Sequence, residues 1–225
     1  MQSPVIGFKS GDIPLGRGMS SWSDATQERA RDIISRYPEK RSAVMPLLYL
    51  AMVEEGYLTN QGMEEVADLC GITPAQVQAV ASFYTMYKRE RTGKYLISCC
   101  TSISCMLLGG DDVLHAVEDE SGVPHGETDN DGVVSVEHVE CIGACGGAPA
   151  VQVNYELIEG VTPDKARELV QWLKKAKPDV VNTDEMQQLF GGKMSFEWAI
   201  NEVGGAVGPY PAFQLLGTVK SEAEI

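Results

Sequence analysis

Five of the six cysteines in this 225-residue chain lie in two short segments. The first, KYLISCCTSISCMLLGG, contains Cys99, Cys100 and Cys105, and the second, ECIGACGGAP, contains Cys141 and Cys145. Cysteines grouped in this way bind a zinc ion or an iron–sulfur cluster, or they form disulfides. With Cys100 as the participating member of the adjacent pair, the four cysteines form two pairs whose members are separated by four and three residues.

This spacing favours an iron–sulfur cluster over zinc. Structural zinc sites often use two cysteines with two residues between them, whereas the two irons of a [2Fe–2S] cluster each need two thiolates and suit wider loops. The small residues around the second pair leave room for backbone N–H groups to approach the sulfurs: Gly143, Ala144, Gly146, Gly147 and Ala148. Zinc is the main alternative, and disulfides or free thiols are the other.

The adjacent cysteines have different predicted roles. Successive residues of a strand point to opposite faces, so Cys99 and Cys100 are not expected to face one cluster together. Cys100 lies nearer the following loop and gives the four-residue gap found in plant-type ferredoxins. We interpret Cys99 as a small buried core residue, and Cys70, on the apolar face of a helix, in the same way. Cys105 is predicted to start a helix, where the dipole favours a thiolate.

Composition and charge narrow the function classes. The net charge of −14 and the absence of a basic stripe argue against nucleic-acid binding. An acidic surface is normally just solvated, although it also suits docking to a basic partner. The sequence has no apolar run of roughly 18 residues and no secretory signal pattern at its start, so we expect a cytoplasmic protein with reduced thiols.

The elements before the cysteines are predicted to form a helical bundle over residues 23–90, after an irregular segment at 1–22. Ser23 or Asp24 starts the first helix, Asn60 caps the third, and Thr73 with Pro74 starts the fourth. The four predicted helices are SDATQERARDIISRY, SAVMPLLYLAMVEEG, NQGMEEVADLCG and TPAQVQAVASFYTMY.

Residues 94–178 have the pattern β-α-β-β-β-α, which predicts a small mixed sheet flanked by helices and hence an α+β or α/β class. The first helix of this region is predicted over 104–122, and each cysteine pair lies on a connection that follows a strand. The sheet is therefore expected to bring both pairs to one edge. Residues 179–225, with a short helix near 183–190, are interpreted as a docking tail with these candidate anchors: Trp198, Tyr210 and Phe213.

Other motifs indicate no bond chemistry. The chain has no C-x-x-C pair and no G-x-G-x-x-G between a strand and a helix, so neither dithiol exchange nor a nucleotide site of the common kind is predicted. The histidines, His115, His125 and His138, are expected to be exposed or hydrogen-bonded. We predict an electron carrier with no catalytic residues.

At this point a resemblance becomes specific. CTSISC followed by MLLGG, and CIGACGGAP followed by VQVN, resemble the 24 kDa two-iron ferredoxin subunits of NADH:quinone oxidoreductase, respiratory complex I. The upstream segments RSAVMPLLYLA and ASFYTMY resemble the helical part of the same family. The resemblance covers about residues 24–178.

The resemblance implies a helical bundle followed by a thioredoxin-like ferredoxin domain, with one [2Fe–2S] cluster as cofactor. It implies these ligands: Cys100, Cys105, Cys141 and Cys145. It also implies a flavoprotein partner that holds FMN and NADH, further iron–sulfur subunits of a peripheral arm, and a position peripheral to the inner membrane without a membrane span. In such a complex, NADH oxidation is coupled to quinone reduction and proton translocation.

Three alternatives remain open. The same module serves as the diaphorase subunit of NAD(P)-linked hydrogenases and formate dehydrogenases. A zinc-stapled interaction module is less consistent with the wide cysteine gaps. A free-standing ferredoxin is disfavoured by the additional bundle and tail.

Overall fold

The structure is a computed structural model that describes residues 21–196 and 205–209. The chain divides into two compact units, Met1–Glu90 and Arg91–Ile225. The finer predicted division, with separate segments at 1–22 and 179–225, stays a prediction. Most of the first segment and the three candidate anchors, Trp198, Tyr210 and Phe213, lie outside the described residues.

The described part of the first unit contains the four predicted α-helices. They are α1 (Asp24–Ser35), α2 (Val44–Glu55), α3 (Asn60–Cys70) and α4 (Pro74–Phe83), and a 3₁₀ turn at Lys40–Ala43 precedes α2. The hydroxyl groups of Ser23, Thr59 and Thr73 accept backbone N–H bonds and cap α1, α3 and α4. The predicted cap of α3 was therefore one residue late, because Thr59 and not Asn60 occupies that position. Helix α4 also ends earlier than predicted.

The core of this unit is centred on α2. Its apolar residues are buried on more than one face, so α2 lies inside the bundle: Val44, Leu47, Leu48, Leu50, Ala51 and Met52. The Tyr87 hydroxyl donates to the Met45 carbonyl at 3.0 Å and connects the end of the unit to α2. Cys70 is buried as predicted, and burial raises the pKa of its thiol to about 11.

The second unit contains a four-stranded sheet. Its strands are β1 (Tyr95–Cys100), β2 (Val134–Val139), β3 (Ala150–Val153) and β4 (Glu156–Glu159), in the spatial order β2-β1-β3-β4. β1 pairs parallel with β2 and antiparallel with β3, and β3 pairs antiparallel with β4. The prediction of a mixed sheet is therefore confirmed. Asn154 and Tyr155 turn the β3–β4 hairpin with φ values of 50° and 69°.

Helices α5 (Ile103–Leu107), α6 (Gly110–Ser121), α7 (Pro163–Ala176) and α8 (Thr183–Phe190) complete the described part of this unit. The prediction of one helix over 104–122 is wrong. Gly109 has a φ of 96°, a left-handed conformation that ends the first helical turn and starts a new helix. Two helices, α5 and α6, therefore replace the single predicted one.

One face of the sheet carries the main core of this unit. Alternate residues of β1 (Tyr95, Ile97 and Cys99) belong to it together with residues of α6 and α7. Residues after 178 also contribute: Val181, Met186, Phe190 and Ala206. This part of the predicted docking tail is therefore packed into the fold. Among the described residues, no helix has the length and apolar character required to cross a bilayer.

Candidate metal centre

The four predicted cysteines meet at one edge of the sheet. β1 and β2 are parallel neighbours, so their carboxyl ends lie at the same edge. Cys100 is the last residue of β1, and Cys141 follows β2 after one intervening residue. Cys105 lies in α5, and Cys145 begins a 3₁₀ turn (Cys145–Gly147) that precedes β3.

The thiols form one inner and one outer pair. Cys100 and Cys105 are buried in one cluster, and Ala144 and Ala150 pack against them. Cys141 and Cys145 are exposed, and their sulfur atoms are 3.4 Å apart. Among residues 21–196 and 205–209, no three His, Cys, Asp or Glu side chains form a group that could hold a single metal ion.

Cys99 lies apart from this group. It belongs to the main core on the opposite face of the sheet. Burial raises the pKa of its thiol, and the nearby charges of Glu118 and Glu137 raise it further. The structure thus places Cys100, and not Cys99, with the other three cysteines.

The environments of the cysteines differ electrostatically. Burial raises the pKa of Cys105 to about 11, although the backbone N–H of Ala150 opposes this by donating to its sulfur. The charge of Cys145 adds to the increase, so the two pairs are close enough to interact. Cys105 is the third residue of a five-residue helix, and burial outweighs the predicted dipole effect. The backbone N–H of Gly143, followed by a hydrogen bond with Cys145, lowers the pKa of Cys141.

Polar groups favour the thiolate form at three of the sulfurs. The backbone N–H groups of Gly143 and Ala150 act to lower the pKa values of Cys141 and Cys105, and the Ser104 side chain acts in the same direction on the pKa of Cys145. Donors of this kind stabilise negative charge on thiolate ligands and on iron–sulfur clusters. The expectation that small residues let backbone N–H groups approach the sulfurs stays a prediction, and the effect of the Gly143 N–H on the pKa of Cys141 supports it.

Two other glycines of the second segment have a different reason to be small. A Cβ atom at Gly146 would lie 2.9 Å from Ser195 Oγ, and one at Gly147 would collide with the Glu159 carboxylate. Sequence reasoning did not find Glu159 or Ser195, since they follow the cysteines with no recognisable spacing.

Further contacts hold the loops together. Ser102 donates to Glu140 Oε2 at 2.7 Å and so links the two cysteine loops. A Cβ atom at Gly110 would lie 2.8 Å from the Cys100 carbonyl oxygen, so the first residue of α6 presses directly on the first loop. The only sequence signal for this contact is the small residue itself.

The chemistry of this donor set fits a [2Fe–2S] cluster. Cys100 with Cys105 could hold one iron and Cys141 with Cys145 the other, which gives each iron two thiolates. The N–H and O–H donors supply the hydrogen bonds that such sulfurs accept.

The histidines lie at a different place. His125 Nδ1 is 2.7 Å from Glu118 Oε1, and the rings of His125 and His138 meet edge to face at 5.0 Å. Burial acts to raise the pKa of Glu118. The hydrogen bonds from the backbone N–H and the ring of His125 outweigh this effect, and the charge of His115 also lowers the pKa. The expectation of exposed or hydrogen-bonded histidines is confirmed.

Comparison with known proteins identifies relatives. The sequence model of the thioredoxin-like [2Fe–2S] ferredoxins matches residues 30–174. The E-type NADH-quinone oxidoreductase subunit of Mycobacterium tuberculosis is 49% identical over 149 residues, which are 66% of this chain and 59% of that protein. NADH-quinone oxidoreductase subunit 2 of Thermus thermophilus is 38% identical over 157 residues, 68% of this chain and 87% of that protein.

The chain thus spans about 59% of the length of the mycobacterial relatives. A solved NAD⁺-reducing [NiFe]-hydrogenase in the H₂-reduced state has a similar fold, with a TM-score of 0.52 and 19% identity. That likeness covers 59% of this chain and 22% of the hydrogenase chain.

Proposed function

The chain belongs to the thioredoxin-like [2Fe–2S] ferredoxin family, and from this premise we propose that it is the electron-transfer subunit of an NADH:quinone oxidoreductase. The predicted fold and cofactor agree with the family, which is named for both. We propose as ligands the four cysteines that meet at the edge of the sheet: Cys100, Cys105, Cys141 and Cys145. A bound [2Fe–2S] cluster supplies reversible one-electron storage.

The observation that carries this proposal is the grouping of four thiols in two pairs at one edge of the sheet. The inner pair, Cys100 and Cys105, is shielded from water, and the outer pair lies at the surface. An electron can therefore enter or leave through the exposed side without opening the fold. No residue of the chain is needed as an acid, a base or a nucleophile.

The surface next to the inner pair suits a protein partner. Helix α5 and the residue after it expose four large apolar side chains, with 73% exposure at Ile103 and 74% at Leu107, and also Met106 and Leu108. Contiguous exposed apolar residues mark interaction sites. We propose that this α5 surface (Ile103, Met106, Leu107 and Leu108) anchors the flavoprotein subunit, which holds FMN and NADH, so that its flavin approaches the centre from the side of the exposed outer pair. Other iron–sulfur subunits complete the proposed peripheral arm.

The relatives support the choice of host complex. Identities of 38–49% to NADH-quinone oxidoreductase subunits favour that host. We further propose that the chain lies peripheral to the inner membrane, on its cytoplasmic side. The alternative is the diaphorase subunit of an NAD(P)-linked hydrogenase or formate dehydrogenase. It ranks second because the likeness to the hydrogenase concerns the fold alone.

Metal analysis of the purified chain tests the carrier role. Two irons and two acid-labile sulfides per chain, with an S = 1/2 EPR signal after dithionite reduction, are the expected result for a [2Fe–2S] protein. One zinc and no signal would replace the proposal by a zinc-stapled module. Coexpression with the flavoprotein subunit, followed by reduction with NADH in place of dithionite, tests the host.

A further inference from the structure

A buried carboxylate lies behind the second cysteine loop. Glu159, the last residue of β4, is only 3% exposed. Its Oε1 atom accepts hydrogen bonds from Ser195 N at 3.1 Å and from Ser195 Oγ at 2.5 Å. A buried carboxylate that accepts two such bonds is held in one orientation and fixes its donors in return.

The backbone of Glu159 is tied to the same region. Its N–H donates to Gln187 Oε1 at 2.7 Å, and its carbonyl accepts from Gln187 Nε2 at 3.1 Å and from Gly192 N at 2.8 Å. Gln187 Nε2 also reaches the Gly192 carbonyl at 3.2 Å. The segment 191–195 is therefore fastened to the end of β4 at both of its ends.

This segment packs on the turn that carries Cys145. Gly146 lies against Ser195, and Gly147 lies against the Glu159 carboxylate with no space for a Cβ atom at either position. Gly160 N donates to the Gly147 carbonyl at 2.5 Å. Glu159 also shares a sheet face with Leu157, which packs against the buried cysteines.

We infer that Glu159 is a positioning residue for the cysteine centre: it holds the segment 191–195 against the turn Cys145–Gly147 and places a negative charge behind it. The inference rests on the proposed function. The segment covers the turn at Gly147, which is buried, while Cys145 and Gly146 stay exposed. The carboxylate is itself 3% exposed and opposes the additional negative charge that reduction brings to the centre, because like charges repel and a buried charge is poorly screened.

Two substitutions separate the charge from the hydrogen bonds. Glu159→Gln keeps an acceptor oxygen for Ser195 and removes the charge, so the midpoint potential from an EPR titration should rise. We expect the one-electron reduction equilibrium to shift by roughly threefold to tenfold. Glu159→Ala removes the acceptor, so the segment should open. Trypsin should then cut the apoprotein after Lys193 several-fold faster, and a chelator should remove iron faster from the loaded protein.

Glu156 provides the matched control. It lies on the same strand, accepts a hydroxyl bond from Thr183 at 2.7 Å, and points to the opposite face of the sheet. Glu156→Gln and Glu156→Ala should leave the potential, the cleavage after Lys193 and the iron release at wild-type values.

The outcomes are distinguishable. Iron-loaded Glu159 variants that behave like the Glu156 controls in all three measurements would overturn the inference and leave the proposed function intact. A wild-type chain that takes up no iron would overturn the proposed function, and the inference with it.

Discussion

Cys99 and Cys100 are neighbours in sequence but lie in separate parts of the second unit. Cys99 is 1% exposed and belongs to the main core with Ile97, on one face of the sheet. Cys100 is 3% exposed and packs with Cys105 and Ala144 on the other. Exposure does not separate the two thiols, so the strand's alternation alone decides which of them joins the centre.

Substitution of each cysteine tests this division. Cys100→Ser should lose most of the iron and the EPR signal, because one iron would keep a single cysteine of its pair. Cys99→Ala should keep both and lower the free energy of unfolding by about 1 kcal/mol, the cost of a small cavity. Iron analysis and thermal unfolding measure the two effects. Loss of iron in Cys99→Ala with retention in Cys100→Ser would reverse the ligand assignment.

Gly110→Ala should disturb the centre from outside the cysteine loops. The added methyl group would lie 2.8 Å from the Cys100 carbonyl oxygen and 2.8 Å from the Cys105 carbonyl carbon, so α6 or the loop must move. We expect a several-fold lower iron content after reconstitution, with the helical circular dichroism preserved. Asp111→Ala, at the exposed next position, is the control and should bind iron like the wild type. Equal iron content in both variants would show that the loop adapts to the methyl group.

Much of the fold was predictable because its signals are local. Thr73–Pro74 and Thr162–Pro163 each place a capping hydroxyl before a proline, and both helices begin at that proline. The hairpin after Asn154 required an antiparallel pair, which made the sheet mixed. Parallel β1 and β2 then bring their carboxyl ends together, which is why the convergence of the cysteine loops followed from the order of elements alone.

What escaped sequence reasoning depends on contacts between distant residues. Ser195 lies 36 residues after Glu159, and nothing in either segment signals that they are bonded. Gly109 lies inside the predicted helix 104–122, and only its left-handed φ shows that it separates α5 from α6. The inner position of Cys105 likewise depends on packing with Ala150, so the helix dipole was the wrong guide to its pKa.

The Glu118–His125 pair should make stability depend on pH. The pKa of Glu118 is lower in the folded state than in the unfolded state. The contribution of Glu118 to the free energy of unfolding is therefore fully present above its unfolded-state pKa, and it is lost as the pH falls through its folded-state pKa. Glu118→Gln should lower the free energy of unfolding by about 1 kcal/mol at neutral pH. The difference should be smaller in acid, because protonation of Glu118 weakens its interaction with His125 in the wild type as well. Thermal unfolding of both proteins between about pH 7 and pH 4 measures the difference.

Glu120→Gln, on the same helix, serves as the control for this pair. The backbone N–H and the ring of His125 both bond to Glu118, so substitution of Glu120 should leave the pH profile of the wild type unchanged. A difference between Glu118→Gln and the wild type that persists undiminished in acid would show that the effect is packing and not charge.

The α5 surface is the proposed docking site for a flavoprotein subunit. Leu107→Ser and Ile103→Ser remove apolar area from the most exposed part of this surface and should weaken copurification with that subunit by roughly tenfold each, since buried apolar anchors dominate such interfaces. Iron content should be unchanged, because neither side chain belongs to the buried cluster around Cys100 and Cys105. Leu189→Ser, at a 45% exposed position of α8, is the matched control and should bind normally. Equal binding by all three variants would place the partner on a different face.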